Sequence, residues 1–344
     1  MTRESLERIL ERAVHAPSGD NVQPWLFSFD GASLVVACDT AADTSFYNTD
    51  QCASFAAIGA LITNIELAAA TEGLRADATV SADGSVRVTF AEGATIDPLQ
   101  EFIEARCSNR KVFRATPIPE SALEKFRAVP RLGLANVHFA TGDAKDAIAT
   151  ACSANEIVVL ENSDMHDFLF NHISWTHDSD AENPRFFVDT LELKGPQLIA
   201  FKLYARRMGA RILNGLGIAH VVAKHNAAIY RSAPLVATVC VQDDSVHAYI
   251  DAGKLLQRIW LIATQAGLAA QPMAGVPLLA RSIRKGNTYT LSRAHLDLIL
   301  DAESCIAATL PGSIHPFLCL RVGYAEQTSA RTRRRAVGIA DTVA

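Results

Sequence analysis

The residues of this chain best suited to chemistry lie in two short polar blocks, far apart in sequence. The first is Ala16-Pro17-Ser18-Gly19-Asp20-Asn21-Val22-Gln23-Pro24-Trp25, which crowds the hydrogen-bonding side chains of Ser18, Asp20, Asn21 and Gln23 into one loop. Such a knot suits a ligand carrying both an anion and a polar ring. It suits an ordinary helix-to-strand turn equally well, because these residue types cluster in turns anyway. The second block is Arg106-Cys107-Ser108-Asn109-Arg110-Lys111. Arg106 and Arg110, with the Ser108 hydroxyl between them, could make charge-assisted, bidentate bonds to a phosphate. Taken singly, each arginine reads more readily as a solvated or salt-bridged surface group. Cys107 has no base beside it and reads as a packed small side chain rather than a nucleophile.

Other chemistries find little support. His166, His172 and His177 are spaced six and five apart, which does not put two ligands one helical turn apart, so no metal site is expected. There is no G-x-G-x-x-G after a strand and no G-x-S-x-G, which argues against a Rossmann nucleotide site and a hydrolase nucleophile elbow. The seven cysteines are scattered, without a C-x-x-C pair, and read as reduced thiols of a cytoplasmic protein. The N-terminal MTRESLERILERAV reads as a charged amphipathic helix rather than a secretory leader, and no uninterrupted apolar run reaches the length of a membrane span. A net charge of −5 argues against nucleic acid or an anionic membrane surface as the main partner.

The elements that must position these blocks follow from spacing. Leu6, Ile9, Leu10, Ala13 and Val14 mark a helix that Pro17 stops. Apolar runs at 25–29 and 34–37 flank Asp30-Gly31, and runs at 76–80 and 86–90 flank Asp83-Gly84, two hairpin signals. Between them, 50–73 reads as a buried helix closed by Gly73. Helices are expected over 98–106 and 120–129, with helix plus connection over 143–162. An amphipathic helix is expected over 166–175, and one long helix over 196–214 with Lys202, Arg206, Arg207 and Arg211 on its basic face. A strand over 233–241, a helix over 247–266, a turn over 267–272 and a last strand over 317–322 complete the reading.

The string APSGDNVQPW resembles the A-P-S-x-x-N-x-Q-P-W signature of the FMN-dependent nitroreductase family. Arg106 to Phe113, followed by Pro117-Ile118-Pro119, is similar to that family's R-R-S-x-R-x-F…P-(I/V)-P signature. Further on, Ala233-Pro234 opens a run like the central A-P-x-x-(I/V)-x-V strand. Gly267-Leu268-Ala269 stands where the family has G-L-G, with Ala269 replacing a glycine, and Arg334-Arg335 matches R-(K/R)-P without the proline. The arginine block, which opens an ordinary member, here follows the APSxxNxQPW block. The chain therefore resembles the single-chain, pseudo-dimeric, Acg-like branch, in which two divergent copies are fused.

The resemblance implies an α+β protein of two nitroreductase-like halves, 1–97 and 98–344, each with a mixed four- or five-stranded sheet packed with helices. It implies FMN held by Ser18, Asn21 and Gln23 from one half and by Arg106, Ser108, Arg110, Arg334 and Arg335 from the other. Backbone N–H groups near Ala269 and Ala270 would face the ring. The chemistry would lie on the flavin, with no catalytic side chain. NAD(P)H would reduce it as a transient co-substrate, and a small acceptor such as a nitroaromatic or quinone would reoxidise it. Residues 164–215 are expected either as a lid over the flavin or as helices that join the halves. The alternative function is sequestration or storage of FMN under that lid without turnover. The assembly implied is a monomer, already an internal pseudo-dimer, or a homodimer.

Overall fold

A computed structural model of the chain describes residues 1–341 apart from Pro130, Ser313 and Ile314, with the Glu182 side chain also left aside. The fold is α+β. In chain order, helix α1 (Arg3–Ala13) leads to strands β1 (Trp25–Phe29) and β2 (Ser33–Cys38), then helix α2 (Cys52–Thr71) and strands β3 (Leu74–Val80) and β4 (Val86–Glu92). A mostly helical stretch follows: α3 (Glu120–Arg127), β5 (Ala135–Ala140), α4 (Gly142–Cys152), α5 (Ala154–Glu161) and α6 (Ser163–Asn171). The short pieces β6 (Ile173–Ser174), α7 (His177–Glu182) and β7 (Phe186–Phe187) come next, then α8 (Pro196–Tyr204), α9 (Arg207–Gly215) and α10 (Ile218–Arg231). The chain ends with β8 (Leu235–Val241), α11 (Val246–Gln265), β9 (Ala269–Met273), α12 (Gly275–Arg284), α13 (Arg293–Ala307), β10 (His315–Gly323) and β11 (Ile339–Asp341).

Two sheets result. The first has the order β11-β1-β2-β4-β3 and the second β5-β8-β10-β9. Both hairpins of the first sheet stand where their Asp-Gly signals put them. The Asp30 carboxylate accepts the Ala32 and Ser33 N–H groups across the β1–β2 turn, and Gly31 takes the left-handed φ of 87° that the turn needs. The first sheet is mixed because β11, from the far end of the chain, pairs in parallel with β1, Phe27 opposite Ile339. The described strands of the second sheet are antiparallel, and a parallel bridge from Ser108 to Ala270 extends its β9 edge. The boundary at residue 97 thus separates the two sheets in sequence, except that the C-terminal strand crosses back to the first.

Between the sheets, α2 packs on α11. Apart from Glu66 and the short polar side chains of Ser54, Thr63, Asn64 and Thr71, α2 presents apolar or small residues all round and is buried on nearly every face. With the turn before it, it is long and apolar enough to cross a membrane, yet it lies in the core of the fold. The crossing is set by two glycines. A Cβ on Gly59 would lie 2.0 Å from the Ile250 carbonyl oxygen, and one on Gly253 would lie 1.8 Å from that of Ala56. Each helix thus gives its glycine to the other's backbone, three residues from where it receives one. At one side of this seam Gln257 donates to Asn64 at 2.7 Å, and Asn64 donates to the Ala13 carbonyl, tying α1 to the pair.

Several elements differ from expectation. Residues 98–106 contain only a 3-10 turn, Pro98–Phe102, capped by the Asp97 side chain. The single helix expected over 196–214 is two, α8 and α9, broken at Ala205-Arg206. They lie so close that a Cβ on Gly209 would reach within 2.2 Å of the Leu203 carbonyl. The run expected as a turn at 267–272 holds its turn at Gly267 (φ 69°), which ends α11, while Ala269–Met273 is strand β9.

At the end of α2, Glu72 accepts from Arg8 at 2.6 Å and from the Ser5 hydroxyl at 2.6 Å. The Arg8 bond first, and the Ser5 bond second, hold its carboxyl down to about 2. A depressed carboxylate contributes stability above its unfolded value near 4.5 and loses it as pH falls toward 2. Arg8 is half exposed, so Glu72→Gln should cost only about 0.5–1 kcal/mol at neutral pH. Urea midpoints should converge with the parent protein as the pH is lowered from about 4.5.

Candidate cofactor site

The loop after α1 folds back on itself. Asp20, Asn21 and Gln23 all take left-handed φ (44°, 59° and 51°), a conformation that costs a non-glycine residue of order 1 kcal/mol each and persists where the surroundings impose it. The Ser18 hydroxyl accepts the Gln23 N–H at 3.0 Å and so braces the loop. The C-terminal segment lies against it. Asn21 donates to the Arg333 carbonyl at 2.9 Å, Gln23 accepts the Arg335 N–H at 2.9 Å, and Arg334 donates to the Asn21 side-chain oxygen.

Arg106 reaches the same place from the second block. Its guanidinium donates to the His15 carbonyl at 2.8 Å and lies over the Trp260 ring, 4.3 Å from the centroid. Arg334 donates to the same carbonyl at 3.3 Å. Arg106, which is buried, and Arg334, which is partly buried, therefore share one neutral acceptor. The Nε of each has no hydrogen-bond partner among the described residues. Burial first, and then the charge of Arg334, push the Arg106 guanidinium down; burial, then Arg331, does the same to Arg334. Burial and the Arg334 charge also push the His15 imidazole down. The sequence-derived residues Asn21, Gln23, Arg106, Arg334 and the Arg335 backbone are thus brought together, with Ser18 behind them.

Beyond this knot opens a cavity of about 960 Å³. Gly19 and Asp20 line its mouth, Arg110 and Gln271 give it polar edges, and Phe46, Phe168 and Leu278 supply apolar wall. Helices α5, α6, α8 and α10 also line it. Arg110 donates to the Thr190 carbonyl at 3.1 Å and lies over Phe186 at 4.8 Å. Ser108, Ala269 and Ala270 do not line the cavity. They sit at the sheet edge: Ala269 and Ala270 pair with Gly323 and Val322, Ser108 bridges to Ala270, and the Ala270 carbonyl accepts the Asn109 N–H at 2.9 Å. From this segment the cavity instead receives Gln271, Ala274 and Gly275.

Sequence reasoning missed the acidic wall. Tyr230 on α10 donates to Glu156 on α5 at 2.8 Å, and both line the cavity. Burial pushes the Glu156 carboxyl up, and burial followed by the Glu156 charge pushes the Tyr230 hydroxyl up. Burial and then Asp43 raise the Asp20 carboxyl, while burial lowers Arg110. Tyr47 donates to Asn155 at 2.9 Å. These residues come from separate helices and loops, so no short motif could announce them.

No family model matches the chain. An uncharacterized Mycobacterium tuberculosis protein, MT1398, is 23% identical over 344 residues, 96% of this chain and 47% of that protein. The chain therefore spans about half the length of this curated relative. The FMN-dependent nitroreductase NfnB of Mycobacterium smegmatis, solved with NADPH, aligns over 69% of this chain and 94% of its own at 18% identity and TM-score 0.36. A nitroreductase of Bacteroides fragilis with bound FMN aligns over 70% and 95% at 12% identity and TM-score 0.38. The FMN- and NADPH-dependent nitroreductase NfnB of a Sphigopyxis strain does so over 70% and 96% at 17% identity and TM-score 0.38. The solved structures that this chain resembles are nitroreductases, at identities and scores that leave its own residues to carry the functional argument.

Proposed function

We propose that this protein is an FMN-dependent oxidoreductase of the nitroreductase type, passing electrons from NAD(P)H to a small organic acceptor such as a nitroaromatic or quinone. The observation that carries the reading is the pair formed by buried Arg106 and partly buried Arg334, neither bonded to a carboxylate among the described residues, set against the strained Asn21–Gln23 loop beside a large cavity. Like charges held together out of water call for an anion, and each guanidinium keeps an unused Nε donor for one. A phosphate fits that donor set, and a flat aromatic system fits the largely apolar cavity next to it.

When bound, FMN would supply the hydride acceptance and delivery that protein side chains cannot. Arg106 and Arg334 would hold its phosphate. Arg110 and Gln271 would meet the polar edge of the ring, and Ala274 and Gly275 would lie close to it. A Cβ on Gly275 would strike the Asn155 side chain at 2.4 Å, so backbone approaches this wall as nearly as it can. The cover of α6, α8 and α10 would exclude water. One chain supplies both sides of the site, and the reciprocal glycine contacts of α2 and α11 support two fused halves, 1–97 and 98–344.

The test is an absorbance spectrum of the purified protein, before and after added FMN, followed by anaerobic NADPH. A yellow protein that bleaches is the expected result. Colourless protein that added FMN does not stain overturns the flavin reading. A yellow protein that no nicotinamide bleaches favours storage, the reading that the cover over the cavity also fits. Arg106→Ala should weaken FMN binding by about 1.5–3 kcal/mol, roughly ten- to 150-fold, measured by fluorescence titration. Unchanged affinity would remove the phosphate assignment.

A further inference from the structure

Residues 193–242 contain no aspartate or glutamate, in a chain whose net charge is −5. The same segment builds α8, α9 and α10 and carries Lys194, Lys202, Arg206, Arg207, Arg211, Lys224 and Arg231. Arg207 is neutralised by Asp167. Among the described residues no ion pair engages Lys202, Arg206, Arg211 or Lys224, and all four are exposed.

Large apolar side chains stand in water on the same helices. Ile199 is 70% exposed and Leu203 43% on α8; Met208 is 69%, Ile212 57% and Leu216 70% on or just after α9. The spacing is that of helix faces: 199 and 203 are four apart, as are 208, 212 and 216. The opposite faces are spent on the fold, with Tyr204, Gly209, Ala210, Ala219 and Ala223 buried. Single exposed apolar residues need no explanation, but several repeated at helical spacing on the outside of packed helices mark a contact surface.

We propose that this outer face of α8, α9 and α10 docks on an anionic lipid surface, with the apolar side chains entering the headgroup boundary and the lysines and arginines meeting the lipid phosphates. Charge complementarity selects this occupant. A second copy of the chain meeting the face symmetrically would set cation against cation. A nucleic acid would neutralise the cations and leave five large apolar side chains in water. An anionic membrane satisfies both, as amphipathic helices lying in the interface do. The overall acidity that speaks against such a partner is an average taken over a strongly basic segment. The inference does not rest on the flavin reading. It would set the cover of the cavity against the lipid, since Phe201 and Val222 of the same helices line that cavity.

The experiment is co-sedimentation of the full chain, with and without added FMN, with phosphatidylcholine vesicles containing phosphatidylglycerol or lacking it. The expected result is pelleting with the anionic vesicles alone, weakened by salt. The triple variant Met208→Ser, Ile212→Ser, Leu216→Ser should lower that binding at least about tenfold, and so should Lys202→Glu, Arg206→Glu, Arg211→Glu. All six positions are exposed, and an unchanged melting midpoint checks that each variant is folded. The proposal is overturned if the parent protein ignores anionic vesicles, or if neither variant changes the binding. It is equally overturned if the parent binds duplex DNA and not vesicles, or is a dimer that the serine variant dissociates without any vesicle binding.

Discussion

Gly253→Ala should destabilise the protein by about 3 kcal/mol or more, read as a fall in the urea or thermal midpoint. The new Cβ would stand 1.8 Å from the Ala56 carbonyl oxygen, inside a core that has no free volume at that point. Helices α2 and α11 would have to part by roughly 1.5 Å to restore an ordinary C···O separation, loosening every contact along their seam. Intrinsic helix propensity works the other way, favouring alanine over glycine by about 1 kcal/mol. Gly215 on α9 isolates that term. A Cβ there meets nothing within 4 Å, so Gly215→Ala should leave stability unchanged or raise it by up to about 1 kcal/mol. Opposite signs for two glycine-to-alanine changes in helices would separate backbone approach from propensity. Gly59→Ala should behave like Gly253→Ala, and the double variant should cost less than the two together, because helices already parted accept the second Cβ at lower cost. A Gly253→Ala protein with the parent midpoint would mean that the helix crossing is not this close.

The sequence was most informative where chemistry and backbone made the same demand. Pro17 and the polar residues after it had to be a tight loop, and Asp30-Gly31 and Asp83-Gly84 had to be hairpin turns. All three stand where the residues put them. The joining of Arg106 and Arg334 beside Asn21 came from the resemblance, since nothing local in either arginine's neighbourhood points to the other. Much of the helical cover was illegible. The buried face of α10 is made of Ala219, Ala223 and Ala227, whose small side chains give little hydrophobic contrast with the solvent face. The break between α8 and α9 depends on Gly209 meeting the Leu203 carbonyl, a tertiary contact that periodicity does not register. Strand β9 carries Pro272 and begins after a left-handed glycine, so local signals favour a turn. Its pairing with β10 overrides them.

A net figure for the whole chain describes its long-range field, but docking is decided within about a Debye length of the contact. Across 193–242 the local sign is opposite to the global one. The same arithmetic applies inside. Burial disfavours the charged forms of Asp20, Glu156 and Arg110 in the cavity, while among the described residues no carboxylate bonds Arg106 or Arg334. An anionic group is drawn to one end and an uncharged ring to the other, which is the polarity a phosphorylated flavin presents.

Arg321→Ala should cost about 3–5 kcal/mol and weaken FMN binding as a consequence. Sequence pattern placed Arg321 at the end of a strand; the fold buries it completely on β10. Its Nε donates to Gln271 at 2.7 Å, one terminal nitrogen to the Ile229 carbonyl at 2.7 Å, and the other to the Lys111 and Asn109 carbonyls at 2.8 and 3.3 Å. The guanidinium lies 4.0 Å from the Phe113 ring centroid. Burial pushes it down to about 9, and no carboxylate among the described residues bonds it. Removing a buried cation relieves its desolvation, yet truncation to alanine leaves the Gln271, Lys111 and Asn109 acceptors without it, while Ile229 keeps its Ser232 bonds, and opens a cavity under Phe113; each unpaired acceptor costs about 1–3 kcal/mol. The loss should win. Because the groups that Arg321 bonds belong to α10, β9 and the segment carrying Arg110, the variant should loosen the wall that presents Arg110 and Gln271 to the cavity. Arg321→Lys keeps the charge but not the planar fork, and should recover less than half of the stability. Arg321→Met keeps the volume but neither charge nor donors, and should remain close to alanine. If methionine restored full stability, packing rather than the hydrogen-bonded fork would be what holds the arginine block against the sheet, and Arg110 would lose its claim to a fixed position in the site.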